Sequence, residues 1–335
     1  MKYVILGKDG DLYRFSFQEI VNNGGVYISD FFKSKNKFVS FIAKIHLSNK
    51  ISKYINIPFK SFWLRKTFSK IPYDKDELCF IIFGDWIRIE NSIYVTSILR
   101  KMFPGCKLVW FLLDLVKTIK PMYSTEPIDV FKFKSRFDLI VSYDRRDVEK
   151  YGLLYHPTVL SKIPLTGVEN SPSYDVFFLA AYKGRLDKLI KICKILSGNG
   201  LKCVFFVYKV PKNRRVQVDG ICYIDNPISY KDNIRMVSKS KCLLELIQTD
   251  SVGYTYRTSE ALLYSKILIT DNNAIKTAPF YDAQNIFLVD ELDDKLLQLK
   301  DCILKGDEVV YNNAEIVKPM HFISFLNEQF LKSNR

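Results

Sequence analysis

Two phosphate-binding signatures are missing from this sequence. No G-x-G-x-x-G occurs, and no G-x-x-x-x-G-K-[ST]. Their absence removes the usual anchors of a dinucleotide dehydrogenase and of a P-loop NTPase, which rely on glycines to bring backbone N–H groups onto phosphate. Histidine is scarce: His46, His156 and His321 stand far apart, so no metal site built on histidine is expected. The seven cysteines contain no C-x-x-C pair and mostly lie in apolar runs. They read as small buried hydrophobes in a reducing compartment. No apolar run approaches the roughly 20 residues of a membrane span, and the run KLVWFLLDLV is broken by Asp114. The opening MKYVILGKDGDLY turns polar at Lys8, too early for a signal sequence, and reads as a first strand. Acidic residues are absent from Phe31 to Tyr73.

What is present is apolar and basic. The chain has 335 residues, is 48% hydrophobic and 14% aromatic, and carries a net charge of +14. The length points to two domains, and the hydrophobic content is ample for two packed cores. The charge speaks of anionic partners rather than of fold. Nucleic acid, an anionic membrane and a phosphorylated ligand are all compatible with it.

The second half alternates strands and helices. YDVFFLA (174–180), KCVFFVY (202–208), ICYID (221–225), CLLELIQ (242–248), KILIT (266–270) and IFLVD (286–290) read as strands buried on both faces. Helical periodicity runs through 185–200 and through the stretches YKDNIRMVSKS, TSEALLYS and LDDKLLQLKDCIL. Such alternation predicts a parallel sheet. KYVIL, LCFIIFG (78–84), KLVWFLL (107–113) and FDLIVSY (137–143) predict a second sheet in the first half. The expected organisation is an α/β protein with two Rossmann-like domains facing a cleft. Residues 1–160 form the first domain and 161–173 a linker rich in Pro, Ser and Gly. Residues 174–318 form the second domain, and 319–335 a last helix that returns toward the first.

Ligands of open parallel sheets bind beyond the C-terminal strand ends, so strand-end residues carry the chemistry. Tyr182, Lys183, Gly184 and Arg185 follow strand 174–180: two cations around a glycine, able to hold a diphosphate or simply a solvated turn. After strand 242–248, a loop with Gly253 and Thr255 leads into a helix. Arg257 sits in its first turn, unfavourably for the helix dipole unless an anion compensates. Glu260 lies one turn in, placed either to accept a ribose diol or to close a capping box.

The stretches DVFFLAAYKGRLDKLIKICKILSGNG, NPISYKDNIRMVSKSKCLLELIQ and VGYTYRTSEALLYSKILITDN together resemble bacterial GT-B glycosyltransferases of capsule, O-antigen and lipooligosaccharide assembly. FDLIVSYDRRDVEKYGLLYHP is similar to the end of their first domain, and HFISFLNEQFLK to their closing helix. The resemblance covers about residues 137–330. It implies a nucleotide-sugar donor, a UDP-sugar above all, held by the second domain without an obligatory metal or other cofactor. Lys183 and Arg185 would then face the diphosphate, and Gly253 and Thr255 the phosphate end of the helix. Arg257 would contact phosphate or buttress the loop, Glu260 would take the ribose, and Ile224, Asp225 and Asn226 would meet the base. Val252 stands where retaining relatives carry a second glutamate.

Two features concern the acceptor. From Phe31 to Tyr73 there are ten basic residues, among them Lys33, Lys35, Lys37, Lys44, Arg65 and Lys66, interleaved with aromatics that include Phe38, Phe41, Trp63 and Phe68. An anionic membrane surface, single-stranded nucleic acid and a solvated basic face over an ordinary core all fit this pattern. The resemblance favours the membrane, with a lipid-linked or oligosaccharide acceptor and no nucleic acid. It implies a cytoplasmic enzyme, peripheral on the inner face of the membrane. Asp85 and Asp114 follow strands of the first half and are candidates for the general base of an inverting transfer. Asp144, among Arg145, Arg146 and Asp147, reads as part of a structural turn. Hexose transfer to a surface-glycan precursor is the expected activity. A basic nucleic-acid-binding protein and an inactive GT-B scaffold are its rivals.

Overall fold

The computed structural model describes residues 1–29, 32, 36–47, 59–72, 77–121, 125–164, 172–248 and 250–333. It divides into two compact units, Met1–His156 and Pro157–Arg335. The division falls shortly before the expected linker because residues after Pro157 already pack into the second unit. Val159 and Leu160 are buried there, and the Leu160 N–H donates to the Val317 carbonyl at 2.8 Å.

The first unit runs β1 (Lys2–Leu6), α1 (Asp11–Ser16), α2 (Gln18–Asn22), β2 (Val26–Ile28), α3 (Lys37–His46), α4 (Lys60–Phe68), β3 (Leu78–Ile82), α5 (Asp85–Ile93), α6 (Val95–Met102), β4 (Lys107–Leu112), α7 (Val130–Phe133), β5 (Leu139–Ser142), α8 (Arg145–Tyr151) and β6 (Leu154–Tyr155). Its strands are all parallel in the order β2-β1-β3-β4-β5-β6. Chain order therefore reverses between β1 and β3. Past the lysines that open β1 and β4, strands β1, β3 and β4 are apolar because helices cover both faces of the sheet. Val4, Leu6, Phe80, Ile82, Leu108 and Trp110 share one core cluster with Leu64 and Phe68 of α4 and Trp86 of α5. Each such side chain contributes roughly 1.5–3 kcal/mol by leaving water.

A smaller cluster of Phe32, Ala43 and Trp63 joins α3 to α4, with Val39, Ile42 and Leu47 packed on it. Asn36 caps α3, its side chain accepting from the Phe38 N–H at 2.9 Å. Since Val39, Ile42 and Ala43 face inward, Phe38 and Phe41 are left outside, 68% and 59% exposed. Trp63 and Phe68 are corrected by this packing. Trp63 is only 8% exposed and lies 4.9 Å from the Phe32 ring, and Phe68 is fully buried. Neither is a surface side chain. Phe59 and Phe62, at 80% and 54%, are the exposed aromatics instead. Lys37, Arg65 and Lys66 are exposed. Lys33 and Lys35 lie outside the described residues, as does the side chain of Lys44.

The second unit runs β7 (Tyr174–Ala181), α9 (Leu186–Gly198), β8 (Cys203–Tyr208), β9 (Ile221–Ile224), α10 (Tyr230–Ser238), β10 (Ser240–Glu245), α11 (Tyr256–Leu263), β11 (Ile267–Thr270), β12 (Ile286–Leu288), α12 (Leu292–Lys305) and α13 (Pro319–Ser333). The sheet is parallel, in the order β12-β11-β10-β7-β8-β9. This is the Rossmann order, with its reversal between β7 and β10. Both sheets are thus open α/β sheets with one switch point each. Among the described residues no helix is long and apolar enough to cross a membrane.

Candidate functional site

At the switch point of the second unit, β7 runs directly into a tight turn. The Tyr182 N–H extends the ladder by donating to the Tyr208 carbonyl at 2.9 Å. Lys183 and Gly184 then both take positive φ, 37° and 76°, and both are exposed. No neighbour lies within 4 Å of where a Gly184 Cβ would be. The glycine is thus needed for its backbone shape rather than for room. Lys183 is presented at the strand end, as the sequence predicts.

Arg185 does something else. Its Nη1 donates to the Leu246 carbonyl and its Nη2 to the Ala181 carbonyl at 3.1 Å. The guanidinium therefore ties the ends of β7 and β10 together, and burial lowers its pKa. These bonds aim it at the sheet.

The loop from β10 to α11 is held by a buried carboxylate that the sequence reading passed over. Glu245 accepts from the hydroxyls of Thr255, Thr258 and Thr270 at 2.5, 2.8 and 2.6 Å. Three bonds of this kind fix the start of α11 on the ends of β10 and β11. Thr255 is the N-cap of α11, accepting from the Arg257 N–H at 3.1 Å. The Asn272 amide donates to the Val252 and Gly253 carbonyls at 3.4 and 3.3 Å. Gly253 is buried.

Arg257 and Glu260 are also turned inward. Glu260 is 2% exposed. It accepts from Arg257 Nη1 and from the Asn233 amide, the latter at 2.8 Å. Burial raises its pKa, against the opposing pull of Arg257 and Asn233. Arg257 Nη2 donates to the Leu179 carbonyl at 3.2 Å, and the guanidinium lies 5.1 Å from the Phe177 ring. The anion that compensates Arg257 in the first turn is therefore Glu260 itself. In this structure the partners of Glu260 are α10 and its own helix. With Thr255 as cap, Thr258 occupies the third helical position, so Glu260 closes no capping box.

Ile224, Asp225 and Asn226 lie at the end of β9, with Asp225 and Asn226 exposed. Asp225 accepts from Arg215 at 2.6 Å. Between β8 and β9 the sequence KVPKNRR adds Lys209, Lys212, Arg214 and Arg215 to the same rim of the sheet. A hydrogen bond to Tyr182 raises the Arg214 pKa. This charge run is visible in the sequence.

In the first unit the switch point lies between β1 and β3, and charged residues surround it. Gly84 precedes α5 at φ 67°, ψ −132°. A Cβ there would come within 2.3 Å of the Lys8 side chain, so only glycine fits. Lys8 Nζ lies 2.7 Å from Asp114 Oδ2 and 5.3 Å from the Tyr13 ring. Burial lowers the Lys8 pKa, but Tyr13 and Asp114 outweigh it and the net shift is upward. Asp114 stays half exposed. Asp85 begins α5 and pairs only loosely, at 3.1 Å, with Arg88. The sequence had marked Asp85 and Asp114 but not the lysine that follows β1. Asp144 is the buried N-cap of α8, accepting from the Arg146 N–H at 3.0 Å, a structural role. Among the described residues no group of three or more His, Cys, Asp or Glu has a metal-ligating arrangement.

The chain matches no family model and no curated protein. Among solved structures it is similar to an α-glucosyltransferase in complex with UDP and a 13-mer DNA containing an HMU base, with TM-score 0.56 at 11% identity over 98% of each chain. It is also similar to the UDP-GlcNAc 2-epimerase of Neisseria meningitidis bound to UDP-GlcNAc, with TM-score 0.52 at 12% identity over 99% of this chain and 100% of that one. A third is the trehalose-6-phosphate synthase OtsA, with TM-score 0.50 at 10% identity over 92% and 96%. The fold of this chain is GT-B: two Rossmann-like units, each with a parallel sheet. At these identities the likeness is one of fold.

Proposed function

We propose that this protein is a glycosyltransferase that moves a hexose from a UDP-sugar to a hydroxyl of a surface-glycan precursor. The observation that carries the proposal is the exposed Lys183–Gly184 turn at the β7/β10 switch point, beside a helix start pinned by Glu245 and Thr255. Ligands of this sheet type bind at that place. The similar structures include an α-glucosyltransferase in complex with UDP and a 2-epimerase bound to UDP-GlcNAc. Lys183, the Lys209–Arg215 run and the N-terminus of α11 would stabilise the departing diphosphate, where negative charge accumulates. With those cations in place the transfer would need no metal. Arg185, Arg257 and Glu260 would shape the site from behind. Asp225 and Asn226 would meet the base. Asp85 or Asp114 would take the proton of the acceptor hydroxyl if the transfer inverts the anomeric carbon.

The acceptor side of the proposal rests on α3 and α4. Phe38, Phe41, Phe59 and Phe62 are exposed among Lys37, Arg65 and Lys66. An amphipathic basic surface of this kind docks on anionic lipid. Each near-surface cation contributes about 1 kcal/mol. The working place would then be the inner face of the cytoplasmic membrane. A second reading, transfer to a nucleic-acid hydroxyl, is favoured by the same aromatic and basic interleaving and by the DNA present in the α-glucosyltransferase structure.

The test is a thermal-shift screen across UDP-, GDP-, CMP- and dTDP-sugars, followed by UDP release with candidate acceptors. A ligand at a hundredfold excess over its Kd stabilises by about 2.7 kcal/mol. UDP-sugars should raise the melting temperature, and UDP should appear only with acceptor present. Isomerised UDP-sugar without acceptor would instead make the protein an epimerase. Glycosylated oligonucleotide would establish the second reading, and no shift with any nucleotide would remove the donor site.

A further inference from the structure

Lys8 is a partly buried cation that the transfer reaction as described does not use. The fold fixes it along its whole length. Its backbone is gripped first. The Gly7 N–H donates to the Ile28 carbonyl at 3.0 Å, and the Gly7 carbonyl accepts from the Trp86 indole at 3.1 Å. The Tyr27 hydroxyl donates to the Lys8 carbonyl at 2.8 Å. Tyr27 lies against Gly7, where a Cβ would come 2.3 Å from that hydroxyl. The stem is held next. Lys8 Cγ, Cδ and Cε pass over Gly84, at 2.3, 3.2 and 3.1 Å from where a Cβ would be. The ammonium then lies 5.3 Å from the centre of the Tyr13 ring and 2.7 Å from Asp114 Oδ2. The ends of β1, β3 and β4 thus supply a lysine, a glycine and an aspartate to one contact.

Stability is a poor reason for this construction. An ion pair whose carboxylate is half exposed stabilises a fold only slightly. Two glycines nevertheless clear the route of one ammonium to one carboxylate. What the route fixes is the orientation of a carboxylate that solvent still reaches. Asp85 differs in this respect. Its partner, Arg88, belongs to the same helix and is itself about half exposed. Local structure therefore sets the direction of Asp85, and tertiary structure sets that of Asp114.

We infer that Lys8 is a positioning residue for the transfer and that the carboxylate it orients, Asp114, is the general base. The inference rests on the glycosyl-transfer reading and deepens it for an inverting course. The acceptor oxygen forms its bond to the anomeric carbon as the bond from that carbon to the diphosphate breaks, and the electron pair leaves with UDP. The acceptor proton passes to Asp114 Oδ1. Oδ2 keeps its bond to Lys8 throughout, because it accepts whether the carboxyl is charged or neutral. A base must stand within hydrogen-bond reach of the proton it takes, and a small misplacement of the reacting groups is costly. Lys8 acts on the rate by this route, through Asp114.

The experiment is UDP release from UDP-glucose, UDP-galactose and UDP-GlcNAc with octyl β-glucoside as acceptor. It compares the unsubstituted chain with Lys8→Met, Lys8→Arg, Asp114→Asn and the double variant Lys8→Met with Asp114→Asn. Lys8→Met should lower kcat by about tenfold to a hundredfold and leave the donor KM and the urea midpoint unchanged. Lys8→Arg should restore most of the loss, since a guanidinium can also donate to Oδ2. In the Asp114→Asn background, Lys8→Met should have no further effect, as for two residues that act as one unit. An unchanged kcat in Lys8→Met, an equal loss in both backgrounds, or a product of retained anomeric configuration would overturn the inference and leave the donor reading standing. No UDP release from any of the three donors by the unsubstituted chain would overturn the transfer reading, and the inference with it.

Discussion

The two switch points of this molecule are built alike and filled differently. Each lies where chain order reverses in a parallel six-stranded sheet, and each gathers charged residues at strand ends. In the second unit the charges close on one another. Arg257 meets Glu260, Arg185 meets two carbonyls, and Glu245 meets three hydroxyls. In the first unit Lys8, Asp85 and Asp114 remain at least partly open to solvent. The same residue types serve as internal struts in one place and as accessible chemistry in the other. Desolvation explains the difference. A buried ion must be fully hydrogen-bonded, so it becomes structural, whereas an exposed one keeps capacity for a ligand.

That contrast breaks most sharply if Arg257 is removed. Arg257→Ala leaves Glu260 buried without its cation and should cost about 3–5 kcal/mol, a large part of a typical stability of 5–15 kcal/mol. Urea denaturation measures it. A variant of unchanged stability with weakened UDP binding would return Arg257 to the ligand. Next come the accessible carboxylates. Asp85→Asn or Asp114→Asn should lower turnover by ~10²–10⁴-fold if one is the general base, with UDP affinity and urea midpoint unaffected. Normal turnover in both would mean that neither carboxylate is the base.

Smaller effects sharpen the same comparison. Lys183→Ala should weaken UDP binding by about tenfold, as for one charge-assisted hydrogen bond, and leave the melting temperature alone. Calorimetry that finds wild-type affinity would shift the diphosphate to the Lys209–Arg215 run. Phe41→Ser and Lys37→Gln should each reduce partition onto phosphatidylglycerol vesicles, the lysine change by about fivefold given ~1 kcal/mol per cation. Co-sedimentation at low and high salt reads this directly, since charge attraction is screened beyond about 8 Å at physiological salt. Finally, turnover should be the same in EDTA as in Mn²⁺. A requirement for Mn²⁺ would mean that the strand-end cations do not suffice.

Much of the scaffold was legible from residue patterns. Runs such as LCFIIF and YDVFFLA can only be strands covered on both faces, and the structure places β3 and β7 there. β2 and β6 escaped because they are short and half exposed, with no apolar run to mark them. The stretch 242–248 reads as one strand, but β10 stops at Glu245. The Ile247 N–H is taken by Asp271 rather than by a neighbouring strand. At the candidate site, position was legible and direction was not. Arg185, Arg257 and Glu260 stand at strand ends or in the first turns of a helix, as expected. Their partners come from Leu246, Leu179 and Asn233, far away in sequence.

The sequence by itself determined the parallel α/β architecture, the two-unit organisation and which loops carry charge. Those properties follow from local apolar periodicity and from composition, which need no long-range contact. Only the tertiary structure decided which of the charges are available. It paired Lys8 with Asp114, brought Asn233 to Glu260 and the Leu179 carbonyl to Arg257, buried Trp63 and exposed Phe59 and Phe62. The physical reason is that a side chain's direction is set by the hydrogen-bond acceptors and apolar surfaces it meets, and in this fold those arrive from distant segments.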